Sequence, residues 1–237
     1  MSQVFVSGHK SPDTDSIAAA LSYSYLKRRL GMDAVAVRAG EINKESRFAL
    51  DYFDLEEPIL VTSVARKNPE DEKQKVILVD HNESKQTIDG MDDAEVLEII
   101  DHHRFGDFES ENPIFILVRP VGCVNTVIYG LYKANHIKPS REIAGIMLSA
   151  IISDTVLFRS PTTTEEDKET AKELAEIAGV DYEAYGMEML KAGADISDYP
   201  AEKLARNDTK EFSAAGNVFT VGPVSYTHLR AHETAAN

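Results

Sequence analysis

A recurring alternation through the first half of the chain restricts the fold more than any other feature: short apolar runs are separated by helical patterns or polar connections. QVFVS (Gln3 to Ser7) reads as a strand, GHKSPDTDS as the turn after it, and IAAALSYSYLKRRLG as a helix ending at Gly31. AVAVR (Ala34 to Arg38) reads as the next strand and NKESRFALDYF as a helix, with PILVT, KVILVD, VLEIID and IFILV as further strands. Strands this short, apolar without clean alternation, favour an α/β fold with a mostly parallel sheet sandwiched between helices. Helices are expected over Cys123 to Asn135, Ser140 to Ser153, Thr163 to Ile177 and YEAYGMEMLKAGAD, and a strand over Asn217 to Val221. ARKNPEDEKQK reads as a solvated loop or a frayed helix end rather than a binding tract. From about Ile196 onward too few elements gather to bury a separate core. The expected organisation is therefore a first domain over 1–190, a linker and incomplete second α/β domain over 191–222, and a tail over 223–237.

Twenty-five Lys and Arg against forty Asp and Glu leave a net charge of −15, with no local basic patch. That balance opposes binding to nucleic acid or to an anionic membrane. The strongly apolar stretch IAGIMLSAII is too short to span a bilayer, which needs about 20 residues. The single cysteine, Cys123, has no intramolecular partner for a disulfide, and the N-terminus has no signal-peptide pattern. A cytoplasmic protein is the expectation.

The polar residues at the strand ends carry the chemistry. GHKSPDTDS supplies His9, Asp13 and Asp15 directly after the first strand. Asp80 ends VILVD, Asp101, His102 and His103 follow EVLEI, and Asp154 follows the apolar helix ending AIIS. In an open parallel sheet, ligands collect at that carboxyl edge. Each residue also has a structural reading: Asp15 or Ser16 suits a helix cap, and a lone Asp such as Asp80 suits a turn. His81 and His136 read as ordinary surface or packing histidines. Together, however, four carboxylates and two imidazoles at one edge repel one another unless cations join them. Two divalent cations neutralise Asp13, Asp15, Asp80 and Asp154; imidazole with carboxylate suits Mn, Fe, Co or Zn, and the excess of oxygen donors leans toward the harder Mn2+.

The triplet Asp101-His102-His103, with SGHKSPDTDS, ILVDHNE, RPVGC and SAIISDTVLFRSPTTTEED, resembles the DHH phosphoesterase superfamily. Within it, the GHKSPDTDS and ISDTVLFRSPT spellings resemble the manganese-dependent, family II inorganic pyrophosphatases over about Met1 to Phe212. The resemblance implies a first metal held by His9, Asp13 and Asp80, and a second by Asp15, Asp80, His102 and Asp154, with Asp80 bridging. It implies His103 facing the substrate, Asp101 supporting in or behind the metal shell, and Lys210 reaching pyrophosphate from the second domain. The implied reaction is hydrolysis of inorganic pyrophosphate to two orthophosphates by a water bridging two Mn2+ ions. Co2+ is an alternative metal, Mg2+ accompanies the substrate, and a homodimer forms through the N-terminal domain.

The chain departs from that family at its end. The SRKKQ motif of the family's DHHA2-type second domain is absent, and PVSYTHLRAHETAAN from Pro223 does not resemble the family. A truncated gene model with a foreign tail is the expectation, and with it weak or no turnover. His228 and His232 in the tail are not read as a metal site. Two rival readings remain: a DHH phosphoesterase acting on a nucleotide or another phosphorylated small molecule, and a non-catalytic phosphoanion-binding module.

Overall fold

The computed structural model describes residues 3–195, together with the backbone of 210–214 and 217–221. The chain divides into two compact units, Met1–Ala194 and Asp195–Asn237. In the first, strands β1 (Val4–Ser7), β2 (Ala34–Arg38), β3 (Ile59–Leu60), β4 (Lys75–Val79), β5 (Glu95–Asp101) and β6 (Phe115–Val118) form one sheet. Its order is β3-β2-β1-β4-β5-β6 and every pairing is parallel. The order reverses direction between β1 and β4. Loops leaving the carboxyl ends of these two strands diverge and open a crevice there, the usual place for a ligand in an open α/β sheet.

Helices α1 (Thr14–Arg29), α2 (Lys44–Tyr52), α3 (Val124–Ala134), α4 (Arg141–Thr155), α5 (Glu165–Ala178) and α6 (Tyr182–Gly193) complete the unit. The larger apolar cluster joins Val4, Val6, Ala36, Ile77, Val79 and Ile100 of the sheet to the helices. Helix α4 is buried almost without interruption from Ile143 to Ile152, so the apolar stretch in the sequence is an interior helix. Ala18, Ala19 and Ala20 let α1 lie close to its neighbours. The other face of the sheet is covered differently. Val37, Val76, Leu78 and Ile99 pack with Val64, Ile88, Phe108 and Ile114, which come from the connections between strands.

Local chemistry explains the helix ends. Asp13 caps α1 by accepting from the Ser16 amide, and Lys27, Arg28 and Arg29 occupy its last turn, favourable to the helix dipole. Helix α1 thus starts at Thr14, three residues before the expected Ile17, because Asp13 rather than Asp15 or Ser16 is the cap. Thr164 and Asp167 form a reciprocal capping box on α5, and Gly179 closes it with φ of 69°. Residues 65–74 contain no helix or strand, as expected of that polar stretch. In the second unit, β7 (Lys210–Ala214) and β8 (Asn217–Val221) pair antiparallel. Strand β8 has its expected bounds, whereas β7 was not anticipated.

Candidate metal centre

The loop after β1 is held by backbone economy. The amide of His9 donates to Ser16 Oγ at 2.9 Å, and a Cβ on Gly8 would lie 1.9 Å from that oxygen. Only glycine lets the strand end approach α1 so closely. His9 Nε2 then lies 3.5 Å from Asp13 Oδ2 and 3.4 Å from Asp80 Oδ2. Asp15, in the first turn of α1, is buried and points toward the start of α3. It accepts from the Cys123 thiol at 3.0 Å, the Val124 amide at 2.8 Å and Asn125 Nδ2 at 2.6 Å. These donors fix a carboxylate whose Oδ2 also lies 3.7 Å from His102 Nε2.

Asp80 sits just past β4 in the left-handed region, with φ of 63°. An aspartate tolerates this conformation, and non-glycine residues held there concentrate at functional sites. Its amide donates to the Ile100 carbonyl at 2.9 Å. Both its carboxylate oxygens are buried, yet neither accepts a hydrogen bond among the described residues. Oδ1 is 3.3 Å from His102 Nε2, so Asp80 stands between His9 and His102. His102 Nδ1 lies 3.0 Å from the Val121 carbonyl. That contact places the ring hydrogen on Nδ1 and leaves the Nε2 lone pair for a cation, the usual arrangement of a histidine ligand.

Three sets of side chains bring ligand atoms within 4.8 Å of one another: His9, Asp13 and Asp80; Asp80, Asp101, His102 and His103; and Asp15, Cys123 and Asp154. His9, Asp13, Asp15, Asp80, His102 and Asp154 thus adjoin one another through Asp80 and Asp15. Burial and the Asp15 carboxylate push Asp80 and Asp154 upward. Burial opposes charge on His9, but Asp13 and Asp80 outweigh it and push its pKa up to about 10. Likewise, burial opposes charge on His102, but Asp80 and Asp15 bring it to about 9. This strongly negative field, together with the unpartnered Asp80 oxygens, fits divalent cations: two imidazoles and four carboxylates are the donors such ions take.

Asp101 lies behind the cluster, fully buried. Its Oδ1 accepts from the amides of His102 at 2.7 Å and His103 at 3.1 Å, and lies 2.9 Å from His103 Nδ1. Burial acts to raise its pKa, but the bonds from His103 and Asn82 hold the carboxyl below the usual range. His81, expected at the surface or in ordinary packing, is buried beside the site. Its ring is perpendicular to that of His9 with centroids 6.4 Å apart. Burial pushes its pKa down to about 4, and nothing in the residue spacing distinguishes it from a surface histidine. His136 is exposed. The roles of Cys123 and Asn125 in holding Asp15 were not anticipated; their position at the start of a helix was the available signal. Lys210 begins β7, but its side chain lies outside the described residues, as do His228, His232 and the tail from Pro223.

A parallel α/β sheet with this carboxylate and imidazole cluster at its switch point defines a DHH-type metal-binding domain. The model of the DHH family, N-terminal domain, matches residues 3–151. A relative from an Exiguobacterium species, named "Probable manganese-dependent inorganic pyrophosphatase", is 54% identical over 213 residues, which cover 90% of this chain and 67% of the relative. A Bacillus cytotoxicus protein of the same name is 53% identical over 236 residues, 98% of this chain and 74% of the relative. Among solved structures, a Methanococcus jannaschii "putative family II inorganic pyrophosphatase" has a TM-score of 0.78 at 41% identity, covering 93% of this chain and 71% of that one. An exopolyphosphatase-related protein from Bacteroides fragilis shares the fold, with a TM-score of 0.59 at 19% identity over 86% of this chain and 58% of that one. The chain belongs to the manganese-dependent, family II inorganic pyrophosphatases of the DHH family.

Proposed function

We propose that this chain hydrolyses inorganic pyrophosphate to two orthophosphates. The observation that carries the reading is Asp80: a buried carboxylate without a hydrogen-bond donor, in a left-handed backbone position, between two imidazoles. His9, Asp13 and Asp80 hold one Mn2+, and Asp15, Asp80, His102 and Asp154 a second, with Co2+ as a substitute and Mg2+ arriving with the substrate. Bound there, the two cations supply Lewis acidity, neutralising pyrophosphate charge and lowering the pKa of water. His103 meets the substrate by hydrogen bonding or proton donation, with Asp101 holding its Nδ1 side.

The metal cluster alone balances its own carboxylates and leaves the substrate's charge to other groups. Two cations in the loops that carry the cluster are already engaged: Lys10 pairs with Asp89 and Arg104 with Glu83. Turnover therefore depends on cations beyond those of these two loops. The domain reading follows: 1–190 binds the metals and 191–222 begins the substrate-clamping domain.

The edge strand β6, with Phe115 and Ile116 exposed, supports a homodimer built through the first unit. The charge of −15 disfavours nucleic acid as a partner. Among the described residues no helix is long and apolar enough to cross a membrane, and the buried, unpaired Cys123 suits a cytoplasmic setting. The test is phosphate release from pyrophosphate, a dinucleotide and a phosphomonoester, each with Mn2+ and Mg2+, by the chain and by the Exiguobacterium relative. Preference for pyrophosphate in both is expected; preference for either of the other substrates would overturn the reading.

A further inference from the structure

Asn82 has no part in the metal and substrate roles assigned above, yet its side chain is buried and makes three hydrogen bonds. Nδ2 donates to Asp101 Oδ2 and to the Arg104 carbonyl at 3.0 Å, and Oδ1 accepts the Gly106 amide. Two acceptors at one end and a donor at the other fix which way the amide points. These bonds tie the turn after β4, which carries Asp80, to the turn after β5, which carries both histidines. The approach is close: a Cβ on Gly106 would meet Glu83 Cγ at 2.6 Å and Asn82 Oδ1 at 3.1 Å.

Among the described residues, Asn82 is the hydrogen-bond donor to Asp101 Oδ2. It therefore sets the plane of a buried carboxylate whose other oxygen is occupied by the His102 and His103 amides and by His103 Nδ1. An ionised carboxylate only accepts, so the His103 hydrogen belongs on Nδ1 and Nε2 is the nitrogen left for a ligand. The His103 side chain is 54% exposed and meets the His102 ring edge-on, with centroids 4.2 Å apart, so the hydrogen bond through Nδ1 is what sets its tautomer and angle.

We propose that Asn82 is a positioning residue for phosphate release: by clamping Oδ2 of Asp101 and the backbone at Arg104 and Gly106, it fixes the tautomer and the angle of the His103 ring. The proposal adds a role to the pyrophosphatase reading, and only its kinetic test rests on that reading. A positioning residue acts through its target, so removing Asn82 should matter only while His103 is present.

The experiment compares the wild type, Asn82→Ala, Asn82→Asp, His103→Gln and the Asn82→Ala/His103→Gln double variant. Asn82→Asp keeps the size and the acceptor for Gly106 while turning the donor into an acceptor. Both single Asn82 variants should retain the wild-type Mn2+ content and KM but lose about 10- to 100-fold in kcat. In the His103→Gln background, Asn82→Ala should change kcat by less than about twofold. The ring 15N resonances of His103, recorded with diamagnetic Mg2+ in place of Mn2+, should report an Nδ1-protonated ring in the wild type and mixed tautomers in both Asn82 variants. An equal kcat loss in both backgrounds, an unchanged kcat, or an unchanged His103 tautomer would overturn the proposal. If the wild type releases no phosphate, the pyrophosphatase reading fails, and the tautomer measurement alone decides the role of Asn82.

Discussion

Asp80 and His103 sit close together but differ in what they can do. Asp80 Oδ1 lies 3.7 Å from His103 Nδ1, yet Asp80 is buried between His9 and His102, whereas His103 is exposed and tied through Nδ1 to Asp101. Asp80→Asn should weaken both metal positions, while His103→Gln should leave metal content nearly intact and lower kcat by about 100-fold or more. Metal analysis of the purified variants beside their kinetics checks the contrast; loss of metal in His103→Gln alone would reverse the assignment. His9 and His102 add a pH dependence. Without metal their pKa values lie near 10 and 9, above the ordinary 6.5. The stability they contribute is complete below pH 6.5 and is lost as pH rises through about 9 to 10, so the Tm of metal-free protein should fall across that window. Mn2+ competes with the same protons, so its affinity should rise from pH 7 to 9, with proton release on loading measurable by calorimetry in different buffers. A flat affinity would show that these imidazoles are not ligands. Most of these residues were legible because polar groups that end apolar strands stand out; for His81 the sequence left surface and packing both open, because its burial depends on how the turn after β4 folds back.

The N-terminus of α3 orders the site at one remove. Val124 and Asn125 hold Asp15, and the loop before them is fastened to α5 by Asp167, which is fully buried. Asp167 accepts from the Gly122 amide at 2.8 Å, Thr126 Oγ1 at 2.6 Å, and the Thr164 amide and hydroxyl at 2.8 and 2.6 Å. Asp167→Ala should cost about 3 kcal/mol or more, since it strands several buried donors at once. Denaturant unfolding measures that loss, and the affinity of the Mn2+ site that includes Asp15 should fall with it; a change below about 1 kcal/mol would show that the loop does not depend on this carboxylate. The start of α5 was legible to within two residues of Thr163, but its link to Gly122 was not, because that contact joins distant parts of the chain. The left-handed run Val156, Leu157 and Phe158, with φ between 49° and 63°, was also beyond sequence reasoning. Each such residue costs roughly 1–2 kcal/mol, and nothing in that spelling favours the conformation.

Across the whole molecule, the alternation of strands and helices foretold a parallel sheet, and the order β3-β2-β1-β4-β5-β6 explains why residues far apart in sequence meet. The turns after β1, β4 and β5 emerge side by side, carrying His9 and Asp13, then Asp80, then His102 and His103, with Asp101 ending β5. Less legible was the covering of the second sheet face, where apolar residues scattered through connections do the packing that a helix would otherwise do. The homodimer proposed through β6 carries its own test: if the exposed Phe115 and Ile116 seat a second copy, replacing both with Lys should give a monomer in sedimentation where the wild type gives a dimer, leaving metal binding unchanged. The most direct measurement is the number of Mn2+ ions retained per folded chain after loading and gel filtration. Two are expected, because His9, Asp13, Asp15, Asp80, His102 and Asp154 meet in one cluster; one ion, or none, would contradict a dinuclear centre at this sheet edge.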